Sequence, residues 1–434
     1  MSEPTPDGQE YKRVSRWFIF FMLRTKRGLD QMDRIGRWRV SPPIAWILTI
    51  IMPVAAALSL YVIGFEVVAL YFSPQSPAIV STIRTISPLA NFLLPGLNPY
   101  LPLSVWLALI VAVVIHEASH GIVARSLGLR IKSAGVLLLA FLPIGAFVEV
   151  DDKQLKEVKS RDSIRVLAAG SGINVVVGVV CVLLLILTVG AMTPAAKGAA
   201  IVGVVPDSAS LHSPAYVAGI QPGDFVTALN GSPITDLGVL HNGSFAVGEK
   251  VNVTVWRDGR TLTFDNVALS NYTETIYNTA NNQTSTVTYP FLGVEEASYQ
   301  TLQSTASGYA SMWKGSPLGY LVDIPTFPRA ESQVPFSDQL AGFYSSPLGS
   351  ATPAVASALY WMFFVNFSLG IFNCLPIYPL DGGQAFESFL RGAPGGRISD
   401  LLARRVTTGL TLLLFLVLFA MIAGPYITGV FSPS

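Results

Sequence analysis

Five long apolar stretches dominate the hydrophobic pattern of the chain, and shorter polar stretches separate them. Three cover about residues 44–71, 103–127 and 166–192, a fourth begins near Val355 and runs past Asn373, and the last covers about 406–428. About 20 consecutive apolar residues are enough for a helix to cross a bilayer. The pattern therefore predicts a multi-span α-helical membrane protein with five spans.

Two intervening stretches have a different pattern. Residues 131–150 are apolar and rich in β-branched residues, but Gly135, Pro143 and Gly145 interrupt them. This predicts a re-entrant hairpin, which at membrane depth must be covered by protein or line a water cavity. From Gly198 onward the residues alternate with period two, and 250–256 and 261–264 flank an Asp258-Gly259 turn, as in a β-hairpin.

The predicted domain organisation follows from these patterns. It consists of a basic cytoplasmic or interfacial segment at 1–43, a membrane core at 44–198, a β-rich domain at 199–270, an extracytoplasmic extension at 271–351 and the last spans at 352–434. The extension is rich in Asn, Thr and Ser and contains a strand candidate at 289–294, and its pattern gives no finer prediction.

Composition supports the membrane class. The chain is 51% hydrophobic and 13% charged, whereas soluble domains are about 25% charged. The net charge of +1 gives no indication of a nucleic-acid partner. Cys181 and Cys374 both lie in apolar stretches, so we expect no disulfide framework.

The basic residues predict the topology. They concentrate in residues 1–43, around 125–132 and in 391–405, which places these segments in the cytoplasm and the β-rich domain outside. A prokaryotic plasma membrane is the expected location. Leu29, Met32 and Ile35 recur at helical spacing within the basic segment, which fits either an amphipathic helix on the membrane surface or a solvated basic tail.

The second span contains the sequence His116-Glu117-Ala118-Ser119-His120. On a helix, His116 and His120 share one face and can bind one metal ion, and Glu117 can reach a metal-bound water as a base. The chain has only four histidines, and two of them form this pair. Because ionisable groups in a span are costly, we interpret the pair as functional.

A catalytic zinc ion takes three protein ligands and keeps one position open. Asp381 is the best candidate for the third ligand, since it follows Pro376 and Pro379 and precedes Gly382-Gly383 at the cytoplasmic end of a span. An ordinary Asp-Gly turn at the membrane edge is the alternative. Asn373 and Cys374 are the next candidates as ligands, whereas His212 and His241 belong to the β-rich domain.

The motif in the second span, together with the later sequence from Asn373 to Gly383, resembles the site-2 protease family of intramembrane zinc metalloproteases. The resemblance covers residues 103–192 and 355–390. It implies zinc bound by His116, His120 and Asp381, with Glu117 as the catalytic acid and base.

Two asparagines also match family motifs. Asn373 corresponds to an asparagine that the family places near the scissile peptide, and Asn174 ends the family's glycine-to-asparagine motif. The proline that usually follows the glycine of that motif is Ser171 here.

Residues 199–270 resemble a PDZ domain, most clearly in the sequences 213–224 and 229–231. In this family a PDZ domain is often inserted between core spans. Ile201 to Val204 could line a groove in which a peptide adds a strand to the sheet edge. Whether such a groove binds a peptide, or the domain acts as a size filter, is left open at this stage.

These features predict hydrolysis of a peptide bond in or beside the transmembrane segment of a single-span substrate, after a first trimming cut. Such a sequence of cuts is called regulated intramembrane proteolysis. A membrane metal transporter is the competing class, but it predicts polar residues through several spans. A binding protein with an inactive protease core is a third class, against which the intact Glu117 argues. Neither the substrate nor the oligomeric state follows from the sequence.

Overall fold

The structure of the 434-residue chain is a computed structural model. It describes residues 14–17, 20–26, 28–85, 101, 105–139, 142–208, 212–278, 283–315, 339–393 and 398–431. Parts of the predicted basic segment, of the loop after the first span and of the 271–351 extension therefore lie outside the described residues.

The helices are given first, in chain order. They are α1 (Leu29–Gly36), α2 (Ser41–Tyr71), α3 (Ser76–Thr85), α4 (Val105–Ser126), α5 (Asp152–Glu157), α6 (Ser160–Gly190), α7 (Pro214–Ala218), α8 (Tyr299–Gly315), α9 (Thr352–Asn373), α10 (Asp381–Arg391) and α11 (Asp400–Phe431). Short 3-10 helices cover Leu237–His241, Gln339–Phe343 and Gly349–Ala351.

The strands are β1 (Val14–Trp17), β2 (Phe20–Thr25), β3 (Ile131–Leu139), β4 (Leu142–Val150), β5 (Thr193–Pro194), β6 (Ala199–Val204), β7 (Phe225–Leu229), β8 (Ser232–Pro233), β9 (Lys250–Arg257), β10 (Arg260–Ala268), β11 (Ser270–Asn278), β12 (Gln283–Phe291), β13 (Val294–Ala297) and β14 (Tyr344–Ser345).

Five helices of the described residues are long and apolar enough to cross a membrane: α2, α4, α6, α9 and α11. They coincide with the five predicted spans, so this part of the fold prediction is confirmed. Helix α6 begins at Ser160, six residues before the predicted start. The prediction missed the first turns because their residues are polar and do not continue the apolar pattern of the span.

The chain divides into two compact units. The first contains residues 1–183, 321–330 and 358–434, and the second contains 184–320 and 331–357. The metal motif and Asp381 both lie in the first unit.

A four-stranded antiparallel sheet in the first unit has the order β1-β2-β3-β4. Strands β3 and β4 form the predicted hairpin, with Ala134 opposite Val148. Strand β2 pairs with β3 over residues 20–25, so part of the N-terminal basic segment belongs to this sheet. The sequence did not reveal this pairing, because the two partner strands are more than 100 residues apart.

Residues Leu29–Gly36 of the basic segment form helix α1, as the helical alternative predicted, whereas its position on the membrane surface stays a prediction. Its apolar side packs on α4: a Cβ added to Gly36 would lie 2.9 Å from the Ile122 carbonyl oxygen, and one added to Gly121 would lie 2.7 Å from Met32 Sδ. Asp33 also forms an ion pair with Arg125 at 2.7 Å. The apolar side of α1 is therefore used within the protein.

The core around the metal motif is formed by α2, α4 and α6. Ala45 and Leu48 of α2 pack with Val123 and Ala124 of α4 and with Val166 of α6. Small residues let these helices approach closely, as expected for packing inside a membrane. A Cβ on Gly172 of α6, for example, would lie 2.9 Å from Leu48 Cβ and 3.0 Å from the Leu48 carbonyl oxygen.

The second unit contains an antiparallel sheet with the order β10-β9-β7-β6-β13, and β8 pairs with β7. The predicted hairpin around Asp258-Gly259 is β9 and β10. Strand β13 pairs with β6 although it lies beyond residue 270, where the β-rich domain was predicted to end. The β11–β12 hairpin is thus inserted between two strands of one sheet.

Candidate metal centre

His116 and His120 lie one turn apart on α4, so both imidazoles project from the same side of the helix. Both residues are buried, at 6% and 8% exposure. Their Nε2 atoms are 3.2 Å apart. Helix α4 thus brings two nitrogen donors together inside the first unit.

Asp381, the first residue of α10, supplies the third donor. Its Oδ2 lies 3.2 Å from His116 Nε2 and 3.3 Å from His120 Nε2. Gly382 and Gly383 lie so close to the backbone of residues 374–378 that a Cβ on either would overlap it. The two glycines therefore allow the tight turn that brings this carboxylate to the histidines.

The three donor atoms form a nearly equilateral triangle with sides of 3.2, 3.2 and 3.3 Å. Zinc binds imidazole nitrogen and carboxylate oxygen at roughly 2.0–2.2 Å in tetrahedral geometry, which separates its ligands by about 3.3–3.5 Å. Two imidazoles and one carboxylate also match a catalytic zinc site that keeps its fourth position open. The donor set therefore fits zinc in both chemistry and spacing.

Hydrogen bonds orient the two imidazoles. His120 Nδ1 donates to the Val166 carbonyl oxygen at 2.7 Å, so its Nε2 has a free lone pair for a metal. The Asn174 amide lies 3.4 Å from His116 Nδ1, and Asn174 Oδ1 is buried without a partner among the described residues. Turning this amide by 180° would let Oδ1 accept the Nδ1 proton of His116 and leave Nε2 of His116 free for a metal.

Two neighbouring residues of α6 contact the donors in ways that the sequence did not reveal. Ser171 donates a hydrogen bond of 2.8 Å to Asp381 Oδ2. A Cβ on Gly170 would overlap His120 Nε2 and lie 2.8 Å from His116 Nε2. The only sequence signal was the unusual serine after the motif glycine, and it did not indicate a contact with a residue 210 positions away.

Glu117 is separate from the three donors. Its Oε2 accepts a hydrogen bond of 2.9 Å from the Val148 backbone N–H on β4. Among the described residues, the side chains that lie close enough together to hold a metal ion are His116, His120 and Asp381, and Glu117 is not among them. The Glu117 carboxylate is therefore bonded to strand β4 and is not one of the three clustered donors.

The other candidate ligands are not brought into this group. Asn373 is the last residue of α9, and within the described part of the chain it makes no hydrogen bond to the three donor residues. Cys374 is buried, and its thiol is not part of the described group of side chains that could hold a metal ion. In the second unit, His212 pairs with Asp207 at 2.8 Å and the His241 ring lies 4.0 Å from the Tyr289 ring.

Comparison with known proteins matches the chain to a protein family and to an archaeal relative. The sequence pattern of Peptidase family M50 matches residues 104–418, a range that includes all three donors and Glu117. The chain is also 24% identical over 375 residues to an uncharacterized protein from the archaeon Methanocaldococcus jannaschii. That alignment covers 86% of this chain and 78% of the archaeal protein.

Proposed function

Because the chain belongs to Peptidase family M50, the site-2 protease family of membrane metalloproteases, we propose that it is a zinc-dependent intramembrane endopeptidase. Its reaction is hydrolysis of a peptide bond in or near a transmembrane segment of another membrane protein. The observation that carries the proposal is the triangle of His116, His120 and Asp381, with Glu117 beside it and outside the ligand set.

Each side chain around the triangle has a distinct task in this reaction. His116, His120 and Asp381 would hold the ion, which when bound lowers the pKa of a water and polarises the substrate carbonyl. Glu117 takes a proton from the attacking water and returns it to the leaving amine. Ser171 holds the Asp381 carboxylate in position through its hydroxyl, and Gly170 leaves room for both rings.

The substrate must be extended at the point of cleavage, since a helical peptide keeps its carbonyl in an i→i−4 hydrogen bond. Strand β4 lies at an edge of its sheet and has its Val148 N–H directed at Glu117. An extended peptide that paired with this edge would bring its carbonyl groups next to Glu117. Glu117 would have to release the Val148 N–H for such pairing.

The substrate class we propose is a single-span membrane protein that has already lost its outer domain in a first cut. The arrangement of the second unit supports a PDZ-like domain: α7 is capped by Ser213 and ends at Gly219 in a left-handed conformation, before strand β7 and the Asn230-Gly231 turn. We place this domain outside a prokaryotic plasma membrane, with the N-terminus in the cytoplasm, because of the basic residues near the span ends.

The test uses the purified full chain and a single-span reporter protein. Cleavage should stop when zinc is removed with a chelator and return when zinc alone is added back. Glu117→Gln should remain inactive after the same treatment. A chain that binds zinc but cleaves no membrane substrate, and moves zinc across vesicles instead, would contradict the proposal in favour of a transporter.

A further inference from the structure

A polar groove is formed by charged residues of α1 and by Trp38, next to the start of the first candidate membrane span. It has a volume of about 440 Å³ and is lined by Asp30, Asp33, Arg34, Arg37 and Trp38. Arg34, Arg37 and Asp30 are exposed, and Trp38 has 54% of its surface exposed. We refer to these five residues as the α1 groove.

One of the four charged residues in the α1 groove forms an ion pair with another described residue. Asp33 pairs with Arg125 of α4. Asp30, Arg34 and Arg37 form no ion pair with any residue that the structure describes. Among the residues that the structure describes, the two guanidinium groups and the Asp30 carboxylate of the groove thus have no ion-pair partner.

The position of the groove along the chain puts it beside the start of a candidate membrane span. Helix α2, the first candidate span, begins at Ser41, four residues after Arg37. The Ser41 backbone N–H donates to the Trp38 carbonyl oxygen at 3.0 Å, and the Ser41 hydroxyl donates to the Ile35 carbonyl oxygen at 2.6 Å. The groove is thus held at the end of a span, where Trp and Arg commonly contact lipid headgroups.

The groove is also attached to the helix that carries the metal motif. Gly36 lies against the Ile122 carbonyl oxygen, Met32 lies against Gly121, and Asp33 is bonded to Arg125. A molecule bound in the groove would therefore rest on a rigid support, one turn beyond His120.

We propose that the α1 groove binds the headgroup of a membrane phospholipid that carries both a phosphate and a primary ammonium, as in phosphatidylethanolamine. Arg34 and Arg37 bind the phosphate, and Asp30 accepts hydrogen bonds from the ammonium. Trp38 covers the upper part of the lipid at the interface.

The spacing of the charged residues matches such a headgroup. Asp30 and Arg34 are four residues apart on α1, so their Cβ atoms are about 5–6 Å apart on one side of the helix. In the headgroup only two carbons and one oxygen separate the phosphorus from the nitrogen. A purely anionic lipid would instead place negative charge beside the Asp30 carboxylate.

The test is lipid binding to the full chain in detergent, measured by native mass spectrometry at several lipid concentrations. Phosphatidylethanolamine and phosphatidylcholine are compared because they have the same net charge, yet only the first can donate N–H hydrogen bonds to Asp30. We expect phosphatidylethanolamine to bind roughly tenfold more tightly. Asp30→Asn should remove most of this difference while leaving the binding of phosphatidylcholine nearly unchanged.

Two further variants test the phosphate contact. The double variant Arg34→Gln, Arg37→Gln should lower the binding affinity for both lipids by roughly thirty-fold, which corresponds to about 1 kcal/mol for each arginine. Arg161→Gln is the matched control, because Arg161 is an exposed arginine near the start of another span, and it should change neither affinity.

Three results would overturn the proposal. The first is binding of phosphatidylglycerol as tight as that of phosphatidylethanolamine, and the second is lipid binding by the double arginine variant equal to that of the unmodified chain. The third is displacement of the lipid by inorganic phosphate at equal concentration. None of these measurements depends on proteolytic activity, so they test the lipid site independently of the proposed function.

Discussion

At the residue scale, Glu117 and the three donors differ in what they contact. The donors lie within about 3.3 Å of one another, whereas Glu117 bonds to the Val148 N–H. Glu117→Gln should therefore keep zinc near one ion per chain and lower the cleavage rate by roughly 10²- to 10⁴-fold. Zinc content and cleavage of the reporter are measured on the same preparation.

Glu249→Gln is the control for this prediction, since Glu249 lies in the second unit and accepts a hydrogen bond from the Ala246 N–H. It should leave both readouts unchanged. If Glu117→Gln lost zinc together with activity, Glu117 would be a ligand and its assignment as proton carrier would be wrong.

Gly170 is the second residue with a testable role, because any Cβ there would overlap the His120 ring. Gly170→Ala should lower zinc affinity by at least about tenfold, which zinc titration of the metal-free chain would measure. Gly64→Ala is the matched control, since no described atom lies within 4 Å of a Cβ at that membrane-helix position. Equal zinc affinity in the two variants would show that the rings do not need this space.

The predicted ligands that the structure brings together are those whose sequence signals are local. His116 and His120 are four positions apart, and Asp381 lies in a short motif with two prolines and two glycines. The contacts of Ser171, Val166 and Val148 depend on the packing of separate elements, and nothing in their own neighbourhoods predicts them.

At the element scale, the close packing of α2 and α6 depends on Gly172. A Cβ there would lie 2.9 Å from Leu48 Cβ and 3.0 Å from the Leu48 carbonyl oxygen, so the helices would have to separate. Gly172→Ala should destabilise the chain by about 1–3 kcal/mol, a typical cost of overpacking. Thermal unfolding in detergent is the measurement.

Gly64→Ala again serves as the comparison, because alanine there gains helix propensity of up to about 1 kcal/mol and meets no neighbour. It should unfold at the same or a higher temperature than the unmodified chain. If Gly172→Ala behaved in the same way, the close approach of α2 and α6 would not contribute to stability.

The elements were predictable to the extent that their pattern is periodic and long. All five spans and the β3–β4 hairpin follow from the sequence, as does the β9–β10 hairpin. Strands β1 and β2 are short, and their partner β3 is distant in sequence, so no local pattern reveals them. The pairing of β13 with β6 could not be predicted for the same reason, since the β11–β12 hairpin and other strands lie between them in the sequence.

At the scale of the whole molecule, we expect the second unit to act as a size filter for substrates. Replacing residues 199–350 with a short flexible linker should leave zinc binding intact and preserve cleavage of a substrate already trimmed of its outer domain. Cleavage of the untrimmed substrate should increase. Both rates are measured with the purified variant in reconstituted vesicles.

Loss of cleavage of the trimmed substrate, with the membrane core still folded, would mean that the second unit recruits substrates. The size-filter prediction assumes that the second unit lies outside the cell membrane, and this assumption is tested separately by adding protease to intact cells. The second unit should be degraded from outside, and its full protection would contradict the predicted topology.

The central claim is that His116, His120 and Asp381 hold the zinc ion that makes this chain a peptidase. The most direct measurement is to titrate the metal-free chain with zinc while following cleavage of the single-span reporter, with Asp381→Ala in parallel. We predict that cleavage rises in proportion to bound zinc and levels off at one ion per chain. The variant should bind zinc weakly and remain inactive. Full cleavage by the metal-free chain, or tight zinc binding and normal cleavage by Asp381→Ala, would contradict the claim.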